Sequence, residues 1–257
     1  MFLTAVQSEN ARRRRVIWWR VSLGLIVLFV AIWMLGKAMQ RLSPWYETRS
    51  LSRDHPILGK LPSALPDKSM APLSGFRVEI FGLAFQTPWS HIGTMTIRMM
   101  ASNEAMIPFP DQHVAMTLFR PSSDDFEKRM FAEAVHARDD ATVISNYKLV
   151  AAEMLTTPDD VKWWKSYSQN EARTFLLEMK SLRIGDLNEI YSIDFGNLKG
   201  FQVGNPSLPP YQIRLDLFDV SDRHYQIRIA STDNHGPIIS QAQINAIAAS
   251  VHQAASP

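Results

Sequence analysis

The sequence predicts an α+β fold, in which a single N-terminal transmembrane helix precedes an antiparallel sheet covered by helices. Three observations predict it. An uninterrupted apolar run occupies residues 21–36, short segments of alternating polarity recur from residue 76 onward, and several helix starts carry Ser or Thr followed three residues later by an acid or amide. Strands and helices that alternate irregularly along a chain, with short connections between the strands, are typical of the α+β class.

The first predicted element is a membrane-spanning helix. Residues 16–36 number 21, which at about 1.5 Å per residue matches a hydrocarbon core of about 30 Å. Basic residues concentrate on the N-terminal side and indoles lie near both ends of the run, as expected for a span held with its N-terminus in the cytoplasm. The predicted anchor residues are Arg12, Arg13, Arg14, Arg15, Trp18, Trp19, Arg20 and Trp33.

This interpretation divides the chain into four parts. Residues 1–15 form a cytoplasmic basic tail, 16–37 the transmembrane helix, 38–74 a proline-rich linker and 75–257 an extracytoplasmic α+β domain. The predicted location is the inner membrane of a bacterial-type cell. A cleavable secretory signal is the alternative, since Gly36-Lys37-Ala38 offers small residues after the apolar run; the length of that run favours an uncleaved signal-anchor.

Charge and cysteine content exclude several functional classes. The whole chain has a formal net charge of +2, but residues 42–257 hold 20 Lys and Arg against 24 Asp and Glu. The basic character therefore belongs to the anchor, and nucleic-acid binding by the domain is not expected. Because the chain has no cysteine, disulfides, thiolate nucleophiles and Cys-ligated zinc are excluded.

The elements of the domain follow in order. Five prolines between residues 44 and 72 predict an extended, semi-rigid linker. Alternation over residues 76–87 predicts a hairpin, and residues 95–99 and 114–118 are expected to pair within one sheet. Residues 190–195, 201–203, 213–217 and 225–229 predict an antiparallel meander. Helices are predicted to begin at Ser122, Thr157, Ser168 and Ser240, the last packing on the meander. In the helix from Ser168, Leu182 is assigned to the apolar face and Lys180 to the polar face.

The C-terminal third carries a resemblance to a known fold. The segments Gly200-Phe201-Gln202-Val203-Gly204, Leu215-Asp216-Leu217-Phe218-Asp219 and Ile247-Ala248-Ala249-Ser250-Val251 occur in the order found at the end of the Mog1/PsbP-like fold. About 65 residues of this chain resemble that fold. The resemblance implies a sandwich of sheet and helices, and a role as a binding or assembly module, because most members are not enzymes.

Candidate catalytic and metal-binding residues are few. His113, His224 and His235 would form a metal site with Asp219 and Asp222 only by converging in three dimensions, since their spacing matches no metal motif. The paired aspartates near residues 124 and 159 are interpreted as helix caps. No nucleophile elbow, phosphate-binding loop or dinucleotide fingerprint occurs. Neither a cofactor nor a bound metal is expected.

Tryptophans supply the predicted partner-binding residues. Trp163 and Trp164 are adjacent on a short predicted helix and cannot both face the core, and Met95, Met99 and Met116 are expected to fill core space instead. The candidate partner-binding set is Trp89, Trp163, Trp164 and Tyr167. The function expected from the sequence is a membrane-anchored extracytoplasmic binding or assembly module, whose partners are the lipid bilayer and a protein of the exported compartment. A membrane-tethered hydrolase or metal-dependent enzyme is the alternative.

Overall fold

The computed structural model describes residues 2–90, 97–120, 145–232 and 236–253, with side chains from residue 25 onward. The described helices are α1 (Phe2–Asp54), α2 (Asn146–Leu155), α3 (Tyr167–Ile184) and α4 (Gln241–Ser250), with shorter 3₁₀ turns at Pro56–Gly59, Pro110–Gln112 and Pro158–Asp160. The described strands are β1 (Ser63–Ala64), β2 (Arg77–Ile80), β3 (Leu83–Gln86), β4 (Arg98–Ala101), β5 (Glu104–Phe109), β6 (Val114–Phe119), β7 (Ile190–Asp194), β8 (Leu198–Val203), β9 (Ile213–Asp219), β10 (His224–Ser231) and β11 (His252–Gln253).

The predicted α+β class is confirmed, but the main sheet is mixed rather than purely antiparallel. Its eight strands lie in the order β1-β7-β8-β9-β10-β6-β5-β4. Only the two-residue β1 runs parallel to its neighbour, β7, while the remaining pairs are antiparallel. A separate three-stranded sheet has the order β11-β3-β2. The predicted hairpin and the predicted meander β7-β8-β9-β10 are both confirmed.

Side chains divide the main sheet into two faces. Ile213, Leu215 and Leu217 of β9 point into the larger core, which α4 and the three-stranded sheet close from above. The opposite face presents Phe201 and Phe218 to Val150 and Met154 of α2 in a second cluster. Because successive residues of a strand face opposite sides, the polar residues Arg214 and Asp216 share this second face.

Several predictions about elements are corrected. The 53-residue α1 continues through Pro44 to Asp54, so the first half of the predicted linker at 38–74 is helical. The predicted strands at 95–99 and 114–118 share a sheet, but β5 lies between them. α3 begins at Tyr167, after Ser166, rather than at Ser168, and the helix from Thr157 is a single 3₁₀ turn that ends at Asp160. The helix predicted from Ser122 lies outside the described residues.

Burial differs from the predicted pattern at three positions. Lys180, assigned to the polar face of α3, is completely buried, whereas Leu182, assigned to its apolar face, is 74% exposed. Met99 is 56% exposed on the edge strand β4, so its predicted core position is wrong. Met116 is buried as predicted, and Met95 lies outside the described residues.

Within the described part of the chain, α1 is the helix that is long and apolar enough to cross a membrane, by length and composition. None of its apolar stretch is buried against the domain. A signal sequence near an N-terminus has the same properties. The helix therefore fits a single-pass membrane protein and fits a signal sequence as well.

Candidate functional site

The sequence-predicted aromatic residues Trp163, Trp164 and Tyr167 lie together on one wall of a groove, which we call the tryptophan groove. The other wall is α1, from Trp33 to Leu42, and the groove has a volume of about 960 Å³. Its lining residues are Trp33, Met34, Lys37, Ala38, Gln40, Arg41 and Leu42 of α1, with Trp163, Trp164, Ser166 and Tyr167.

Trp163 and Trp164 both project from the surface. Trp163 is 57% exposed and Trp164 is 65% exposed. Their rings meet edge to face with centroids 5.7 Å apart, and the Lys162 ammonium lies 5.8 Å from the centroid of the Trp164 ring. This arrangement presents a broad aromatic surface with a positive charge beside it.

The loop that carries the tryptophans is held in place from beneath. Val161 is buried next to Leu58 and Leu177, which fixes the start of the loop. The completely buried Asn170 of α3 accepts a hydrogen bond from the Lys162 N–H at 3.2 Å and donates one to the Lys162 carbonyl oxygen at 2.6 Å. The exposed indoles are therefore pre-organised by the fold.

The C-terminal end of α1 is part of the domain. The Thr48 and Thr174 hydroxyls are 2.9 Å apart within the interface of α1 and α3, and the Thr174 hydroxyl also donates to the Pro44 carbonyl oxygen at 3.3 Å. Trp45 packs on the cluster that contains Leu177. These contacts fix the angle at which α1 leaves the domain.

Acidic groups lie along the same interface. The Tyr167 hydroxyl donates to the Glu171 carboxylate at 3.2 Å, and partial burial together with Glu171 and Glu47 raises the pKa of this phenol. Partial burial, the charge of Glu47 and a hydrogen bond with Glu47 raise the pKa of Glu178. The Glu178 carboxyl group therefore holds its proton to a higher pH than an isolated carboxyl group does.

Trp89 does not belong to the groove, and its assignment to a partner-binding surface is wrong. It is 7% exposed and packs in the larger core, where its ring centroid is 4.7 Å from that of Phe109. The segment before Trp89 contains polar and proline residues, as surface loops do. The hydrogen bond from the Phe76 N–H to the Trp89 carbonyl oxygen nevertheless holds Trp89 against the hairpin.

The histidines and aspartates proposed for an enzymatic site do not converge. His113 and His224 lie at opposite ends of β10, because the Thr232 N–H donates to the His113 carbonyl oxygen while His224 begins the strand. Eight strand residues separate those ends by about 26 Å. His235 lies outside the described residues. Among the residues that the structure does describe, no group of three His, Cys, Asp or Glu side chains is placed to hold a metal ion.

The two aspartates from that hypothesis have structural roles. Asp222 accepts hydrogen bonds from the backbone N–H groups of Asn146 and Tyr147, at the start of α2. Asp219 accepts from the N–H groups of Ser221 and Arg223, which closes the turn between β9 and β10. Both carboxylates satisfy backbone donors that would otherwise lack partners.

A buried ionic network that sequence reasoning missed lies on the second face of the sheet. Asp216 Oδ1 accepts hydrogen bonds from Arg183 at 2.8 Å and Gln226 at 2.8 Å, and lies 2.9 Å from His224 Nε2. Arg183 also donates to Glu153 at 2.8 Å. In the sequence, the network is indicated by Arg214 and Asp216 at alternate positions of β9. The same pattern fits a strand whose polar face meets solvent equally well.

The positive charges of Arg183 and Arg214 balance the negative charges of Glu153 and Asp216 in this network. Burial on its own raises the pKa of Asp216, but Arg183, the His224 hydrogen bond and Arg214 outweigh it, so the pKa lies well below its ordinary value. Arg214 Nε and Asp216 Oδ2 face each other at 3.6 Å, and neither has a hydrogen-bond partner. Because Glu153, Arg183 and Asp216 come from α2, α3 and β9, their ion pairs stabilise the contact of the two helices with the sheet.

A smaller cavity of about 310 Å³ lies beside the network, at the C-terminal end of α3. Its arginines are already engaged: Arg214 donates to the Arg183 carbonyl oxygen and Arg228 donates to Gln212, both at 2.8 Å. This cavity therefore does not supply a ready site for a ligand. The tryptophan groove remains the candidate functional site.

No family model matches this chain, and neither a curated protein nor a solved structure matches it.

Proposed function

We propose that the protein is a single-pass membrane protein with its N-terminus in the cytoplasm, which holds one α+β domain at the outer face of the membrane as a binding or assembly module. The bacterial inner membrane is the proposed location, and a protein of the exported compartment is the proposed partner. The excess of arginine before the apolar run supports this orientation.

One observation carries the proposal: α1 is a single helix from the apolar run into the domain. The Thr48–Thr174 contact and the packing of Trp45 join its end to α3. A helix that only targets a chain for export has no reason to form part of the interior of the folded domain. This continuity favours an anchor that remains attached and keeps the domain close to the lipid.

The structural roles of the polar residues favour binding over catalysis. Asp219 and Asp222 cap backbone groups, and the ion pairs of Asp216 stabilise the packing of α3. The resemblance of the last 65 residues to the Mog1/PsbP-like fold, which we retain as part of this proposal, also supports a binding or assembly role.

The absence of cysteine from the chain allows a direct test of the topology. Single cysteines are introduced by Ser8→Cys in the basic tail and Val220→Cys on the turn after β9, where the native side chain is 82% exposed. We expect a membrane-impermeant maleimide to label the second variant in intact cells, and the first only after permeabilisation. Alkaline extraction should leave the full-length chain in the membrane; release of a shorter chain would show a cleaved signal.

The partner is tested by chemical cross-linking in intact membranes before solubilisation. A chain that ends at Asp54 retains the anchor without the sheet and serves as the control. The proposal predicts at least one cross-linked protein that is specific to the full chain. Identical cross-linked species from both chains would contradict a binding role of the domain.

A further inference from the structure

We propose that Trp163 and Trp164 form a second contact with the bilayer, so that the domain binds the headgroup region of the leaflet from which α1 emerges. The ligand is the phospholipid interface itself, with anionic headgroups favoured. This inference rests on the proposed function, because it requires that α1 spans the membrane.

Position is the first argument. The tryptophan groove is formed on its α1 side by residues from Trp33 to Leu42, and the predicted span ends at residue 37. These ten helical residues are separated by nine rises of about 1.5 Å, so they cover about 13.5 Å along the helix axis. The polar interface on each side of the hydrocarbon core is about 5–7 Å deep. Trp163 and Trp164 therefore lie beside the part of α1 that passes through this interface.

Chemistry is the second argument. An indole ring has a large apolar face and one N–H donor, and it partitions to the boundary between hydrocarbon and headgroups. The two indoles are more than half exposed, and the buried Asn170 fixes the backbone that carries them. A protein surface that keeps two adjacent tryptophans rigidly exposed is suited to an apolar neighbour.

Charge is the third argument. Although residues 42–257 carry more acids than bases, the groove is bordered by Lys37 and Arg41 on α1 and by Lys162 and Lys165 beside the tryptophans. Basic side chains at this depth attract the phosphates of anionic lipids. Among the acidic residues of the neighbouring segments, Asp159 lies 3.7 Å from Arg49, Asp160 accepts from the Thr157 N–H, and Glu171 accepts from the Tyr167 hydroxyl.

These three features favour lipid over a protein as the occupant of the groove. Trp33 is part of the apolar run and also lines the groove, so lipid that surrounds the span reaches the groove without any rearrangement. A protein partner that filled the same groove would have to displace that lipid. The partner of the proposed function is therefore expected to use another surface of the domain.

The test uses the full chain reconstituted into vesicles of phosphatidylcholine with phosphatidylglycerol. A nitroxide is attached to a single cysteine in three separate variants: Trp164→Cys in the groove, Val220→Cys on the distant turn, and Leu28→Cys within the apolar run. Collisions of each label with oxygen, which concentrates in lipid, are compared with collisions with a water-soluble nickel complex. Circular dichroism verifies that each variant keeps the native fold.

We expect the ratio of oxygen to nickel accessibility at position 164 to be several-fold higher than at 220 and lower than at 28, and to fall in phosphatidylcholine alone. A ratio at 164 equal to that at 220 would overturn the lipid contact while position 28 still reports a span. Protection of position 164 from both reagents would also overturn it, because the label would then be buried against protein, within this chain or against a second copy of it. Water-like values at position 28 would overturn the proposed function, and with it this inference.

Discussion

At the scale of single residues, the buried Asp216 carboxylate gathers polar partners from two elements and from its own strand. One of its oxygen atoms receives hydrogen bonds from α3 and β10, and the other faces Arg214. A buried carboxylate and its cationic partners compensate each other, so removal of either one leaves an uncompensated charge inside the protein. The network therefore acts as a single unit that joins α3 to the sheet.

Asp216→Asn tests this dependence. The substitution removes the negative charge but not the volume, and leaves Arg183 and Arg214 without sufficient compensation. We expect the free energy of unfolding to fall by about 3–5 kcal/mol. The measurement is urea unfolding of the chain in detergent micelles, followed by near-ultraviolet circular dichroism. Asp186→Asn, on the exposed turn after α3, is the matched control, and an equal effect of the two substitutions would contradict a special role of Asp216.

The four predicted aromatic residues show what a sequence can determine at this scale. Trp163 and Trp164 are adjacent, and adjacency alone indicates that at least one is exposed. Trp89 stands alone after a strand, and its neighbours do not indicate whether it faces inward. Its burial depends on β5, which brings Phe109 against it and which lies twenty residues away. Contacts of this kind depend on the whole sheet, so local patterns cannot supply them.

At the scale of elements, local signals predicted the parts of the fold that local physics determines. The hairpin is specified by a two-residue turn at Phe81-Gly82, both with positive φ, and α4 begins at a reciprocal capping box of Ser240 and Gln243. The extension of α1 past Pro44 could not be predicted in the same way. Proline disfavours a helix interior, and only the packing on α3 outweighs that preference.

Lys180 joins three segments that are distant in sequence. Its ammonium donates to the carbonyl oxygens of Leu58, Lys60 and Thr156, at 3.1, 2.9 and 3.0 Å. Burial lowers the pKa of Lys180 to about 8, although Asp160 partly offsets this effect. The three carbonyl groups come from the ends of neighbouring elements, where backbone acceptors otherwise lack partners.

Lys180→Met is therefore expected to destabilise the domain. The substitution retains most of the side-chain volume but leaves one buried acceptor and two partly buried acceptors without their donor, which should lower the free energy of unfolding by about 2–4 kcal/mol. Thermal unfolding in micelles measures the change. Lys199→Met, at an exposed position of β8, is the control; a loss no greater than that of the control would show that water satisfies the three carbonyl groups.

The contact between α1 and α3 is expected to depend on pH. Because the pKa of Glu178 is raised in the folded chain, its contribution to stability is fully present below the ordinary carboxyl pKa and is lost as the pH rises through the raised value. The midpoint of thermal unfolding should therefore contain a contribution from Glu178 that decreases as the pH rises above the ordinary carboxyl pKa. Glu47→Gln should flatten this dependence, whereas Glu79→Gln, on the exposed side of β2, should not. Equal slopes in both variants would contradict the assignment to this pair.

At the scale of the whole molecule, the segment between the span and the first hairpin is structural. Leu58 is completely buried against Val161 and Leu177, and β1 extends the main sheet. Further along, the Asn245 side chain of α4 donates to the carbonyl oxygens of Asp67 and Ser69, at 2.8 and 2.9 Å. The proline-rich sequence thus wraps the domain from α3 to α4, and its prolines restrict the backbone without making it a spacer.

This arrangement predicts different behaviour for two shortened chains. A chain of residues 37–257 retains the contacts of Trp45, Leu58, β1 and Asp67, and should unfold in one sharp thermal transition. A chain of residues 75–257 lacks them all, leaving the ammonium of Lys180 with one of its three acceptors and the apolar surface around Leu177 open to water. It should bind a hydrophobic dye and be degraded rapidly by protease. If both chains unfold with the same midpoint, residues 38–74 act as the extended, semi-rigid linker that their composition predicts, and the domain is complete without them.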